Sequence, residues 1–209
     1  MASYLFVDIE TYIDKQNPET GLNPYLPNSK IITIAFNYYD AFVLTERNII
    51  PPTIYREWES SEKEILEKFY NFVKRKVEIS PHIKIVGFNH IKFDLPYLFA
   101  RLAHYEVDEK ENIHKILFQS PHHIDLGQVS MITSSRMKKR KEFYNVGQRE
   151  VNKFFNISIK TEDGKKLSEY YCNKQFKKII DYIKKEFKFE LLYIDLRRHI
   201  HTKKTMDPS

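Results

Sequence analysis

Tyr4-Leu5-Phe6-Val7-Asp8-Ile9-Glu10 sets two carboxylates among five apolar side chains near the start of the chain. β-Branched and aromatic residues dominate it, so residues 4–10 read as a buried strand. Asp8 and Glu10 are two positions apart and would project from one face of that strand, about 7 Å from each other. Two charges on one face of so apolar a segment cost several kcal/mol unless a cation or a polar partner compensates. The competing reading is that the strand stops short of them and both face water.

Working outward, residues 12–29 hold Pro18, Gly21, Pro24 and Pro27 and are too broken for regular structure. Lys30–Asn37 and Ala41–Thr45 are apolar runs around Tyr-Tyr-Asp, which predicts a hairpin and, with the first strand, an antiparallel meander of three strands. Ser61 and Glu64 form a capping-box pattern ahead of Ile65, Phe69, Phe72, Val73 and Val77, so a helix is expected over 62–78. A fourth strand follows at Ile83–Phe88. Asp94-Leu95-Pro96 then opens a helix to about His104, proline being tolerated in a first turn. A short apolar stretch at His123–Leu126, a helical pattern at 145–155 and a last, longest helix at 176–200 complete a βββ-α-β-α-α-α order. The expectation is a mixed α/β fold with residues 1–200 as a single domain and 201–209 as a tail.

With 42% hydrophobic and 14% aromatic residues in 209, the chain can fill a core, which excludes general disorder. The longest strongly apolar stretch, Ile31–Phe36, is far below the roughly 20 residues of a membrane span. The acidic, leaderless N-terminus predicts a cytosolic protein with no membrane partner. Cys172 is the single cysteine, so any metal must be held by oxygen or imidazole. His122 and His123 point to opposite faces of an extended segment and read as structural. The formal charge is +6, and Arg136, Lys138, Lys139, Arg140 and Lys141 put five cations into six positions. This segment is either a solvated loop or a contact for a polyanion.

Asn89-His90-Ile91-Lys92-Phe93-Asp94 follows the fourth strand, at the carboxyl edge where open α/β sheets place ligands. Asp94 suits a helix N-cap, yet with Asp8 and Glu10 it would bring three carboxylates into one small volume, a crowding that calls for a divalent cation. Tyr182 and Glu186 are four apart and share a helix face. Lys184, Lys185 and Lys188 around Glu186 equally suit a solvated charged surface.

Taken together, Phe6-Val7-Asp8-Ile9-Glu10-Thr11, Gly87-Phe88-Asn89-x3-Phe93-Asp94-Leu95-Pro96-Tyr97-Leu98 and Tyr182-x3-Glu186 resemble the four-carboxylate (DEDD) 3′–5′ exonucleases. The likeness is to their tyrosine subgroup, the exonuclease domain of family-B DNA polymerases, and extends over roughly residues 4–198. It implies a ribonuclease-H-like sheet, three antiparallel strands followed by parallel ones. It also implies that Asp8, Glu10, Asp94 and Glu186 bind two Mg2+ or Mn2+ ions and that Tyr182 orients the attacking water. By the same resemblance Thr11, Asn89 and Phe93 hold the 3′ end of single-stranded nucleic acid, DNA ahead of RNA. Arg136, Lys138, Lys139, Arg140 and Lys141 then add sequence-independent backbone affinity.

One position departs from the family pattern: Glu186 stands where aspartate is usual. Its extra methylene moves the carboxylate by roughly 1.5 Å, and a displacement of about 1 Å in a catalytic group can cost on the order of a hundredfold. Two alternatives stand beside the exonuclease, the first motivated by Glu186 and the second sharing every catalytic residue and differing only in how the pocket treats the 2′-hydroxyl. One is a weakened exonuclease fold that binds nucleic acid or a replication or repair protein. The other is an exoribonuclease.

Overall fold

The structure is a computed structural model that describes residues 3–40, 44–80, 82–137, 146–157 and 166–201, with 132–137 described by backbone alone. Five strands form one sheet: β1 (Tyr4–Thr11), β2 (Ile31–Tyr39), β3 (Thr53–Arg56), β4 (Lys84–Gly87) and β5 (His122–Asp125), in the order β3-β2-β1-β4-β5. The pairs β1/β2 and β2/β3 are antiparallel, whereas β1/β4 and β4/β5 are parallel. This is the mixed, ribonuclease-H-like sheet that the family resemblance implies.

Each face of the sheet carries its own core. Leu5, Val7 and Ile9 of β1 pack with α1 (Glu62–Ile79), α2 (Asp94–His104) and the short α3 (Lys110–His114), which runs on into a π-helical turn at Lys115–Gln119. On the opposite face Phe6 packs with α4 (Leu126–Met137), α5 (Gln148–Phe154), α6 (Lys166–Cys172), α7 (Phe176–Glu186) and α8 (Phe189–His201). The period-2 alternation of β1 thus feeds two layers of helices. α1 starts where its capping pattern says it should, with the Ser61 hydroxyl accepting the Glu64 N–H at 3.2 Å.

β1 pairs with β2 along its whole length, with an irregularity between Glu10 and Thr11. With β4 it pairs only through Tyr4, Leu5 and Phe6. Beyond Phe6 the two parallel strands part, opening a gap at the carboxyl edge beside the residues that carry the carboxylates.

Four expectations change. The third strand is Thr53–Arg56 rather than residues 41–45, of which 41–43 lie outside the described residues. Leu44 is buried and lies outside any strand. Pro51 and Pro52 lead into this short edge strand. The helix expected over 176–200 is broken at Phe187 and Lys188. Phe187 and Phe189 are both buried, with ring centroids 5.1 Å apart, and residues two apart on a continuous helix cannot face one core. Phe187 takes φ −68°, ψ 79°, an inverse γ-turn in which the Lys188 N–H donates to the Glu186 carbonyl at 2.7 Å. Helices α3, α4 and α6 add to the simpler element order. α8 runs to His201, one residue into the expected tail, and 202–209 lie outside the described residues.

Candidate active site

The gap between β1 and β4 is a cleft of about 340 Å³ lined by Asp8, Ile9, Glu10, Phe88, Asn89, Phe93, Asp94, Gln148 and Glu186. All four proposed carboxylates therefore reach one cavity from three elements. Asp8 and Glu10 extend from the same face of β1 as the buried Phe6, Asp94 comes from the start of α2, and Glu186 is the last residue of α7. The carboxyl end of a helix carries partial negative charge, so α7 adds to the negative potential around Glu186.

Asp94 does not cap its helix. It is the first residue of α2, with Phe93 at the N-cap position and no side-chain cap. Its Oδ1 instead accepts the Ile9 N–H at 3.0 Å, across the gap where β1 has lost its strand partner. A side chain there replaces a missing ladder bond and ties α2 to the strand bearing Asp8 and Glu10. Asp94 is 4% exposed. Burial first, and the charge of Asp8 second, push its carboxyl well above the usual carboxylate range. Among the described residues no three carboxylate, thiol or imidazole groups come close enough to clasp an ion.

Asn89 adopts φ 58°, in the left-handed region that asparagine tolerates better than most residues. It and Phe93 line both this cleft and an adjoining hollow of about 310 Å³ that Lys92, Gly127, Gln128 and Val146 complete. The Thr11 hydroxyl donates to the Gly21 carbonyl at 2.9 Å and so pins the loop after β1 to the strand end. Tyr182 is 6% exposed and packed in the second core, one turn before Glu186. Arg136 lies within α4, and Lys138, Lys139, Arg140 and Lys141 lie outside the described residues. His122 and His123 are adjacent strand residues in β5. The His123 Nδ1 lies 3.4 Å from the Nε2 of the fully buried His90.

Two residues escape a reading of the sequence. Gln148 reaches the cleft from the first turn of α5, and nothing in its neighbourhood in the chain signals that. Asp125 holds backbone N–H groups of both α4 and the loop before α2. Its signal, an aspartate just ahead of a helix, is legible only as a cap.

The sequence matches the family described as DNA polymerase family B, exonuclease domain, over residues 4–148. The chain belongs to that family. The match takes in β1 with Asp8 and Glu10 and the Asn89–Asp94 segment of this exonuclease domain, whereas Tyr182 and Glu186 lie beyond it. No curated protein matches the sequence. Among solved structures, the exonuclease domain superposes on the family B DNA polymerase of the hyperthermophilic archaeon Pyrobaculum calidifontis with a TM-score of 0.58 at 17% identity, over 90% of this chain and 24% of that one. It superposes on a product-bound exonuclease I with a TM-score of 0.52 at 13% identity, over 97% of this chain and 46% of that one. The exonuclease domain thus spans less than half of either protein, and at such identity the likeness is one of fold.

Proposed function

We propose that the protein is a divalent-metal-dependent 3′–5′ exonuclease acting on the 3′ end of single-stranded DNA. The observation that carries this reading is the meeting of Asp8, Glu10, Asp94 and Glu186 on one cleft, with Asp94 raised by burial and by the Asp8 charge. Four carboxylates lining one cavity form an all-oxygen donor set suited to Mg2+ or Mn2+. The donor set is oxygen throughout, with Asp94 raised by burial and by the Asp8 charge, so the residues fit the group. Asp8, Glu10, Asp94 and Glu186 would hold two such ions. When bound, the ions supply Lewis acidity, which acidifies the attacking water and offsets charge on the departing 3′ oxygen.

The protein's own residues do the positioning. Asp94 is oriented by the Ile9 N–H, so its remaining oxygen is directed by the strand rather than by solvent. Phe93 offers a ring face to a terminal base, and Asn89 offers an amide to the backbone near the 3′ end. Thr11, fixed to Gly21, follows Glu10 at the end of β1, where we assign it a contact with the terminal nucleotide. We assign to the Tyr182 hydroxyl the orientation of the attacking water. With an ordinary pKa near 10 a phenol is a poor base at pH 7, so positioning rather than proton abstraction is the role assigned.

A second reading, a binding module with a retired site, draws on Glu186 and on the separation of the carboxylates. One experiment separates the two. 5′-Labelled DNA and RNA oligonucleotides are incubated with the protein in Mg2+, Mn2+ or EDTA, with Asp8→Ala in parallel. A ladder shortening from the 3′ end, lost in EDTA and in Asp8→Ala, is the expected result, with DNA degraded faster than RNA. Intact substrate in both metals despite measurable binding would establish the binding module, and faster loss of RNA would reassign the substrate.

A further inference from the structure

We propose that Asp125 is a positioning residue of this site: its carboxylate sets the loop between β4 and α2 so that Asn89 and Asp94 face the cleft. The inference rests on the exonuclease reading and assigns a role to a residue outside the four carboxylates. Asp125 is the last residue of β5 and is 3% exposed. Its Oδ1 accepts the N–H groups of Gly127 at 2.9 Å and Gln128 at 3.4 Å, which caps α4. A cap needs nothing more.

Yet the same Oδ1 accepts the Asn89 N–H at 2.9 Å, and Oδ2 accepts the Ile91 N–H at 3.3 Å. These bonds reach across the parallel strand pair into the neighbouring loop. The Asn89 carbonyl in turn accepts from Lys92 at 3.0 Å and Phe93 at 3.1 Å, so a continuous chain of hydrogen bonds runs from Asp125 to the residue before Asp94. Left-handed backbone at a non-glycine residue is unfavourable and persists only where its surroundings fix it. Asp125 does the fixing for Asn89. The adjoining glycine supplies the room: a Cβ on Gly127 would lie 2.5 Å from Asn89 Oδ1. Groups that orient a ligand of the metal typically change metal affinity by roughly 10–100-fold when removed.

The test measures Mn2+ binding calorimetrically, without nucleic acid, on the wild type, Asp125→Ser and Asp125→Asn, with unfolding curves alongside. A serine hydroxyl still caps α4 but is too short to reach Asn89 and Ile91. Asp125→Ser is therefore expected to stay folded and to bind Mn2+ at least about tenfold more weakly. Asparagine keeps Oδ1 and with it the Asn89 bond, while losing the Ile91 bond and the charge that faces His90 Nδ1 at 3.7 Å, so Asp125→Asn should recover part of that loss. A folded Asp125→Ser with wild-type Mn2+ affinity overturns the proposal and leaves the exonuclease reading intact. A wild type that binds no Mn2+ overturns both. Should the serine variant fail to fold, Asp125→Asn decides: a loss of roughly threefold supports the role, and an unchanged affinity overturns it.

Discussion

Asp94 is caught between two demands. Its carboxyl must be ionised to hold a cation, yet burial and the Asp8 charge favour the protonated form. With a folded-state pKa above its unfolded value near 3.8, Asp94 binds its proton more tightly in the folded protein. Its contribution to stability is complete below that unfolded value and is lost as pH rises towards the folded pKa. Metal-free Asp94→Asn, whose amide oxygen can still accept from Ile9, should therefore be about 1 kcal/mol more stable than the wild type at pH 7.5 while losing nuclease activity. Denaturation in EDTA and in Mg2+ checks this, with added Mg2+ raising the midpoint of the wild type and not of the variant. Tyr182→Phe is the complementary case. The ring stays packed, so the unfolding midpoint should hold, while a lost water-orienting hydroxyl should lower kcat by roughly a hundredfold with little change in KM. A normal kcat would remove Tyr182 from the site.

Among the elements, α1 is readable because capping and apolar spacing agree, α2 because a proline marks its first turn although Asp94 does not cap it, and the charge clamp between them is not. Glu62 opens α1 and is 5% exposed, as is Arg101 of α2. Arg101 donates to both Glu62 oxygens at 2.9 and 2.7 Å, and Glu62 also accepts from the Ile31 N–H at 2.8 Å. Arg101 further donates to the Pro24 carbonyl at 3.1 Å, fastening the loop that Thr11 grips at Gly21. Glu62→Ala leaves a buried guanidinium uncompensated and should cost about 3–5 kcal/mol in denaturant titration. A loss below about 1 kcal/mol would mean that the pair is solvated in practice. The sequence contains both residues but not their meeting, because ion pairs between distant elements leave no local period. The same limit explains the last helix. Its apolar pattern is legible, whereas the break at Phe187 follows from two rings competing for one core. By contrast Asp8, Glu10 and Asp94 are legible as a set because strand alternation and a strand-to-helix junction fix their directions locally, whereas Asn89 and Phe93 are singled out through the family resemblance.

For the molecule as a whole, a charge of +6 and the cations at 136–141 bear on affinity more than on chemistry. Exchanging Lys138, Lys139, Arg140 and Lys141 for glutamine should flatten the dependence of oligonucleotide affinity on salt, by up to about 3 in the slope of log K against log concentration. The rate at saturating substrate should change little, and an unaltered slope would return the segment to the solvated-loop reading. The sheet holds a consequence of another kind. β1 lies at its centre, yet past Phe6 it has lost β4, and the Ile9 amide is bonded to the Asp94 carboxylate instead. That proton is shielded by a side chain within an otherwise backbone ladder. Its exchange with deuterium is thus a one-residue gauge of Asp94: slow while the carboxylate stays on the strand, faster in Asp94→Ala, and sensitive to any cation that draws the oxygen away.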